Sequence, residues 1–511
     1  MKNLSYYAWL GLFLWVMASY SSAAVGGMKP RLIVKRKIPA RGIMREAFKV
    51  SDKEVHSFDD ARALEEAKAR FEGDSEIEWV VEDKAMAHFF EPGDNGTTQD
   101  QLWFSQWHSH DALSGINLPA AWDLTFGEEV VVAVVDTGIT NHSDLNSKIL
   151  FGADLVSDTS MSNDGDSRDN DPSDPGDWIT AGDPCYNGSF HSSSWHGTHV
   201  AGTIAAKTGN GTGVAGISFN AKIVPVRVLG KCGGWASDIA DGIKWAAGLP
   251  VSGVANNPNP ARVINLSLGG RGSCSAMMQE AVDGANAAGS LVVVAAGNSN
   301  QNIDFNHYSP ANCKGVVTVA STDHEQNRSF FSNYGEFIDI AAPGGGGVGV
   351  MSTINSGTTT PSSEDYKQMS GTSMAAPHVT GVAALMAGVN PDLSNSQLRQ
   401  ILIDSARSFD PSSNCDSSIC GEGLLDAEAA VVMAMNTVGD PDFVFSEPFL
   451  GSDSGPETYT WITPQYDDEG GACGTVDMDG GSGGPGGFML SLFFGLLLSV
   501  LAPGLRVHKS W

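Results

Sequence analysis

Between Val130 and Ser405 short apolar runs alternate with stretches that favour helix, and this alternation constrains the fold more than any other feature. Val130–Val135, Ile223–Val228, Val263–Leu268, Leu291–Ala296 and Val316–Ala320 are rich in β-branched residues and mostly apolar along their length. A strand that is apolar on both sides must be covered on both sides. Ala236–Ala247, Ser275–Ala288, Met374–Ala387 and Ser396–Ser405 supply the helical patterns between them. Buried strands interleaved with helices predict an α/β fold, a three-layer parallel sheet with helices on both faces. Such a sheet gathers its functional groups at the carboxyl ends of its strands.

The flanks have other compositions. Lys2, the apolar run Trp9–Ala18 and the small residues Ser21-Ser22-Ala23 predict a secretory signal over residues 1–24. An N-terminal anchor is the alternative, but the run is short for a bilayer. In residues 25–95, Arg31–Lys35 and Ile77–Val81 read as strands, and Ala61, Leu64, Ala67 and Phe71 mark an amphipathic helix. This small α+β block has the size of a pro-segment and precedes the main domain, residues 96–436, with a turn-rich boundary at Asp94-Asn95-Gly96. Residues 437–487 form an acidic, Gly-rich linker. In residues 488–511 the apolar stretch Phe488–Leu505 is followed by Arg506, His508 and Lys509.

Charge narrows the partners. With 30 basic and 59 acidic residues the net charge is −29, which repels nucleic-acid phosphates and suits neither DNA nor RNA as a partner. Cys185, Cys232, Cys274, Cys313, Cys415, Cys420 and Cys473 show no zinc-type CxxC spacing, so an exported chain predicts disulfides. Sequential pairing of the first six, leaving Cys473, is the expectation. Asp164, Asp166, Asp169, Asp171, Asp174 and Asp177 crowd one loop with Arg168 as the nearby base. Either the loop is solvated or its carboxylates hold Ca²⁺, which takes six to eight oxygens; Asp169, Asp171, Asp174 and Asp177 are the candidate ligands. The spacing is not that of an EF-hand.

Three motifs carry chemistry. Val132-Ala133-Val134-Val135-Asp136-Thr137-Gly138 ends a strand in a carboxylate. His196-Gly197-Thr198-His199-Val200-Ala201-Gly202 offers an imidazole at a helix start, with glycines for close packing. Gly371-Thr372-Ser373-Met374-Ala375-Ala376-Pro377 places a serine where a helix begins, a position that stabilises developing negative charge. Each has a bland reading: a turn residue, a structural histidine or an N-cap. Two histidines three apart also permit a metal, though without the glutamate of HExxH. Taken together in the order Asp, His, Ser they match a known triad order.

With these motifs, residues from about Asp100 to Asn436 resemble the subtilisin-like serine proteases (subtilase family). The resemblance implies that Ser373 is the nucleophile, His196 the general base and Asp136 its orienting partner, with His199 structural. It implies that Asn298, in Ala295-Ala296-Gly297-Asn298, donates to the oxyanion. Ser267-Leu268-Gly269-Gly270 would be the substrate-binding strand, with Ala295, Ala296 and Gly297 beside it, and extended polypeptides the substrates. It further implies that residues 25–95 inhibit the enzyme and are cut off autocatalytically between about Met86 and Asn95. Structural calcium is implied at Asp144, Asn210, Thr212 and Asp100. A monomer is expected. The C-terminal tail resembles the glycine-rich sorting signal of Gram-negative bacteria, which a rhomboid-type protease removes. That implies secretion after transient membrane contact; a permanent single-span anchor is the other reading. A non-catalytic binding protein on the same fold, or an esterase, are the competing functions. The second lacks a GxSxG elbow.

Overall fold

The computed structural model describes residues 31–36, 53–58, 61–82, 85–88, 91–92, 102–440 and 443. Its first strands form a small antiparallel sheet, in which β1 (Arg31–Arg36) lies between β2 (Lys53–Ser57) and β3 (Ile77–Glu82). Helix α1 (Ala61–Glu72) covers it, burying Leu64 and Ala67 on Leu32 beside Phe58, Phe71 and Val80. Two short strands follow, β4 (Ala85–His88) and β5 (Glu91–Pro92).

The main body is built on β6 (Val131–Asp136), β7 (Ala153–Asp154), β8 (Lys222–Arg227), β9 (Gly234–Trp235), β10 (Val263–Leu266), β11 (Leu268–Arg271), β12 (Leu291–Ala295), β13 (Tyr308–Ser309), β14 (Val316–Thr322), β15 (Ile340–Pro343), β16 (Val350–Asn355) and β17 (Glu364–Ser370). Its principal helices are α2 (His196–Ala205), α3 (Ala236–Ala246), α4 (Ala276–Ala287), α5 (Thr372–Val389), α6 (Asn395–Asp404) and α7 (Ala427–Asn436). Seven strands form one parallel sheet in the order β15-β14-β12-β10-β6-β8-β7. The two-residue period of a strand sorts its side chains between two layers. Val132 and Val134 of β6 join the core with Val200 and Ile204 of α2 and Val379 and Val382 of α5. Ala133 and Val135 face the other way, onto Ile239 and Ile243 of α3 and Met278 and Val282 of α4. The expected three-layer α/β fold is therefore what forms.

The expected strand Val263–Leu268 is instead two, β10 and β11, broken at Ser267, where the chain leaves the sheet. β11 belongs to a second sheet, ordered β13-β11-β4-β9, and β5 extends the hairpin β16-β17. Disulfides join Cys185–Cys232, Cys274–Cys313 and Cys415–Cys420 in the expected sequential order, and Cys473 lies outside the described residues. Among the described residues no helix is long and apolar enough to cross a membrane. The expected signal (1–24), the linker beyond residue 443 and the apolar stretch Phe488–Leu505 lie outside the described residues.

Candidate active site

β6 delivers Asp136 to the carboxyl end of the parallel sheet, fully buried, where its Oδ1 accepts the Thr137 backbone N–H at 2.7 Å. His196 opens α2, and its Nδ1 lies 2.7 and 2.9 Å from the two Asp136 oxygens. An ionised carboxylate only accepts, so Nδ1 carries the proton and Nε2 is the basic nitrogen of the neutral ring. The approach is close because residue 197 has no side chain: a Cβ there would stand 2.2 Å from Gly138 O. Trp195, just before the helix, is left-handed at φ 54°. That conformation costs a non-glycine residue about 1–2 kcal/mol. Burial of the ring and an indole N–H bond to Gly357 O at 2.6 Å hold it there.

Ser373 lies in the first turn of α5. Its hydroxyl donates to Ser267 O at 3.0 Å, and the Ser267 hydroxyl returns a bond to Ser373 O at 2.8 Å. The second bond has a covalent origin. Pro377, inside α5, lacks the N–H that would reach back four residues to Ser373 O. The carbonyl that proline leaves open is the one Ser267 takes. Ser267 Oγ in turn accepts Asn265 Nδ2 at 2.9 Å, and Asn265 Oδ1 accepts the Thr380 hydroxyl at 2.9 Å. This buried network ties the break between β10 and β11 to the helix carrying Ser373.

Asn298 follows β12. Its Oδ1 accepts the Thr372 N–H at 2.9 Å and the Thr372 hydroxyl at 2.8 Å. That assigns the amide, leaving Nδ2 as a buried donor with no partner among the described residues. Gly297 (φ +102°) donates to Thr372 Oγ1 at 3.0 Å, and a Cβ on it would meet Asn333 Nδ2 at 2.4 Å. Ala295 and Ala296 are buried in the core, with Ala296 O accepting Asn333 Nδ2 at 2.8 Å.

Of the expected substrate strand, Leu268 and Gly269 pair antiparallel with His88 and Ala87, whereas Gly270 pairs with Ser309 of β13. On its other edge β4 pairs with β9, Ala85 opposite Trp235 and Met86 opposite Gly234. Beyond this, Glu91 pairs with Ser370, three residues before Ser373. An extended stretch of this chain, β4, therefore lies between the edges of β11 and β9, and a second, β5, pairs with β17.

The acidic loop does not gather round a cation in the way its composition suggests. Asp169 and Asp171 each accept the backbone N–H two residues on, from Asp171 at 2.8 Å and Ser173 at 3.0 Å. Asp174 accepts the Thr137 hydroxyl at 2.7 Å; Asp177 accepts Ser194 N at 2.6 Å and Ser194 Oγ at 2.7 Å. The carboxylates diverge because each closes its own turn or braces a neighbouring segment. Among the described residues no group of three or more His, Cys, Asp or Glu side chains could hold a metal ion. Burial, then the nearby Asp177 charge, pushes Asp174 up to about 7. Asp144 is different: it is fully buried and accepts from Asn210 Nδ2 (2.6 Å), Tyr366 OH (2.7 Å) and Val214 N (3.3 Å). Thr212 donates its N–H to Asn210 Oδ1 at 2.9 Å, and Leu102 N reaches Gly213 O at 2.6 Å. Asp100 lies outside the described residues.

His199 Nε2 faces Val350 O at 3.1 Å and Lys367 O at 3.0 Å, a structural bond between helix and hairpin. Burial lowers its pKa to about 3. Sequence reasoning missed the supporting cast: Thr137 and Thr372 stood inside the motifs without a role, and the pairing of Ser194 with Asp177 has no local signature.

Comparison with known proteins shows the family. Residues 127–423 match the subtilase family, peptidase S8, and the chain belongs to that family. It is 46% identical over 381 residues to an extracellular protease of Xanthomonas campestris pv. campestris, covering 73% of this chain and 63% of that protein. It is 45% identical over 341 residues to an extracellular basic protease of Dichelobacter nodosus, covering 65% of this chain and 55% of that one. The chain thus spans less than two thirds of the length of either relative. A solved structure of a protease from Pseudoalteromonas arctica superposes with a TM-score of 0.63 at 53% identity, covering 66% of this chain and 99% of that one.

Proposed function

We propose that this chain is a secreted serine endopeptidase that hydrolyses extended polypeptides through an acyl-enzyme. The observations that carry the reading are the pairing of His196 Nδ1 with Asp136, the place of Ser373 in the first turn of α5, and the Asn298 Nδ2 donor left open among the described residues. Ser373 Oγ attacks the scissile carbonyl as its proton passes to His196 Nε2, and Asp136 stabilises the imidazolium. The oxyanion is met by Asn298 Nδ2. His196 then protonates the leaving amine. Water repeats the sequence to release the acid and restore Ser373. Leu268 and Gly269 on one side and Gly234 and Trp235 on the other would hold the substrate backbone as an added strand. Labelling by a fluorophosphonate, lost in Ser373→Ala, tests this; an unlabelled wild type leaves a non-catalytic binding protein.

The chain's own residues 85–88 occupy those edges and residues 91–92 pair with β17, which supports a precursor whose pro-segment, residues 25–95, inhibits until it is cut. We place the cut between His88 and Glu91, the interval between the two paired stretches. The pro-segment sheet docks on α3 and α4 through Glu280, which bonds Lys35 (2.8 Å), Lys244 (2.9 Å) and Trp79 Nε1 (3.1 Å). Residues 1–24 as an export signal, 96–436 as the peptidase and 488–511 as a removable sorting segment complete the proposal, in keeping with relatives named as extracellular. Calcium fits at Asp144, a buried carboxylate whose bonded partners are all neutral, with Asn210, the loop to Thr212 and Asp100 completing the oxygens. Bound there, the ion would tie the start of the peptidase domain to that loop.

A further inference from the structure

We propose that Asp174 and Asp177, in the acidic loop, are positioning residues that set the alignment of Asp136 with His196; the proposal rests on the triad reading above. The two carboxylates reach the triad by separate routes. Asp174, 2% exposed, accepts the Thr137 hydroxyl at 2.7 Å, and the same Thr137 oxygen accepts the Gly197 N–H at 3.0 Å. Thr137 also donates its own N–H to Asp136 Oδ1 at 2.7 Å. One threonine therefore touches the residue before it, Asp136, and the residue after His196, and its hydroxyl can face Gly197 lone-pair first only because Asp174 takes its proton.

Asp177 works from the other side of the helix start. It accepts both the N–H and the hydroxyl of Ser194, and the hydroxyl oxygen then accepts His196 N at 3.3 Å. His196 is thus bracketed by Ser194 on one flank and Gly197 on the other, each fixed by a different carboxylate of the same loop. The loop also joins the β6 turn through its backbone: Ile139 N donates to Pro172 O and Asp174 N to Ile139 O, both at 3.0 Å. A Cβ on Gly138 would meet Pro172 O at 2.5 Å, so the glycine of the Asp136 motif exists to admit this loop. Glycine 176 is packed as tightly, where a Cβ would stand 2.1 Å from Thr359 O. Asp177 suits a helix start because its carboxylate accepts two bonds at once and complements the N-terminal dipole.

The test uses full-length enzyme, self-processed or processed in trans by wild type, with active sites counted by fluorophosphonate titration. Asp174→Asn, Asp177→Asn and Thr137→Val are each expected to lower kcat per titrated site about tenfold or more, with KM within about twofold, as befits a misaligned base. Thr137→Ser keeps the donor and the acceptor and should restore kcat. The acid limb of kcat/KM should move to lower pH in Asp174→Asn, because a loosened Asp136–His196 bond stabilises the imidazolium less. Unchanged kcat per titrated site in both Asn variants, with only Tm lowered, overturns the proposal. So does Thr137→Ser behaving like Thr137→Val, a comparison that stands even where a carboxylate variant fails to fold. Failure of wild type to label would instead overturn the triad reading itself.

Discussion

Thr372 gives Asn298 Oδ1 two hydrogen bonds, one from its amide and one from its hydroxyl, and so decides which end of the Asn298 amide is left as an open donor. In the proposed mechanism the oxyanion donor is therefore held by the residue preceding the nucleophile. Asn298→Ala should lower kcat about 10²–10³-fold with little change in KM, the effect seen when subtilisin loses its oxyanion Asn. Steady-state kinetics on a peptide amide checks it; a loss confined to KM would mean that Asn298 serves binding alone.

Ser373→Ala should accumulate the intact precursor, because residues 85–88 and 91–92 of the chain itself pair with β11, β9 and β17, the last ending three residues before Ser373. In active enzyme, N-terminal sequencing should find the mature chain beginning at residue 89, 90 or 91. A start elsewhere, or normal processing of purified Ser373→Ala, would refute self-cleavage at this place.

Burial opposes ionisation of Glu280, yet hydrogen bonds from Lys35 and Lys244 hold its carboxyl down at about 2. Its contribution to docking is present at neutral pH and is lost as pH falls below the ordinary carboxylate range. Glu280→Gln should weaken pro-segment docking, seen as release of the cut segment at a lower denaturant concentration than in wild type. The side chain is one-third exposed, so the expected change is modest.

The fold was legible because burial on both faces writes itself into a strand as an unbroken apolar run, as in Val131–Val135 and Leu291–Ala295. Asp136, His196 and Ser373 were legible as candidates because each sits in a local motif. What stayed hidden depends on direction. Asp174 and Asp177 read as a cation cluster since composition records charge and not where a carboxylate points. The break at Ser267 was unreadable because its cause, the carbonyl opened by Pro377, lies far along the chain. Residues 85–88 and 91–92 had no strand signature; they are strands because the edges of β11, β9 and β17 await them.

Calcium removal separates the two acidic regions. Chelation should lower the Tm of inhibited mature enzyme by several degrees in wild type, and Asp144→Asn should abolish that response. Asp169→Asn and Asp171→Asn should leave it intact, since those carboxylates cap turns in their own loop. A chelator response lost in the Asp169 variant and kept in the Asp144 variant would reverse the assignment.

Acid should weaken the fold through a buried histidine pair behind the nucleophile helix. His378 Nδ1 faces Met374 O at 2.7 Å, so it carries the proton, and His378 Nε2 must accept from His108 Nδ1 at 2.7 Å. Burial lowers His378 to about 4. Burial, followed by the neighbouring His378, His199 and His110, holds His108 well below its ordinary range. Both rings are neutral when folded and protonate near pH 6.5 when unfolded, so the unfolded state binds more protons as pH falls. Stability is full above that pH and declines towards pH 4, by on the order of 3 kcal/mol for His378. His199, lowered by burial to about 3, acts in the same sense, whereas Asp154 and Asp174, both raised to about 7 by burial, act in the opposite sense over the same window, so the slope in wild type is their net. Replacing one ring isolates the histidine part. In sulfonyl-inhibited enzyme, His378→Asn should lower Tm at neutral pH yet flatten its fall between about pH 7 and pH 5. An undiminished fall in that variant would remove the pair as the cause of acid sensitivity.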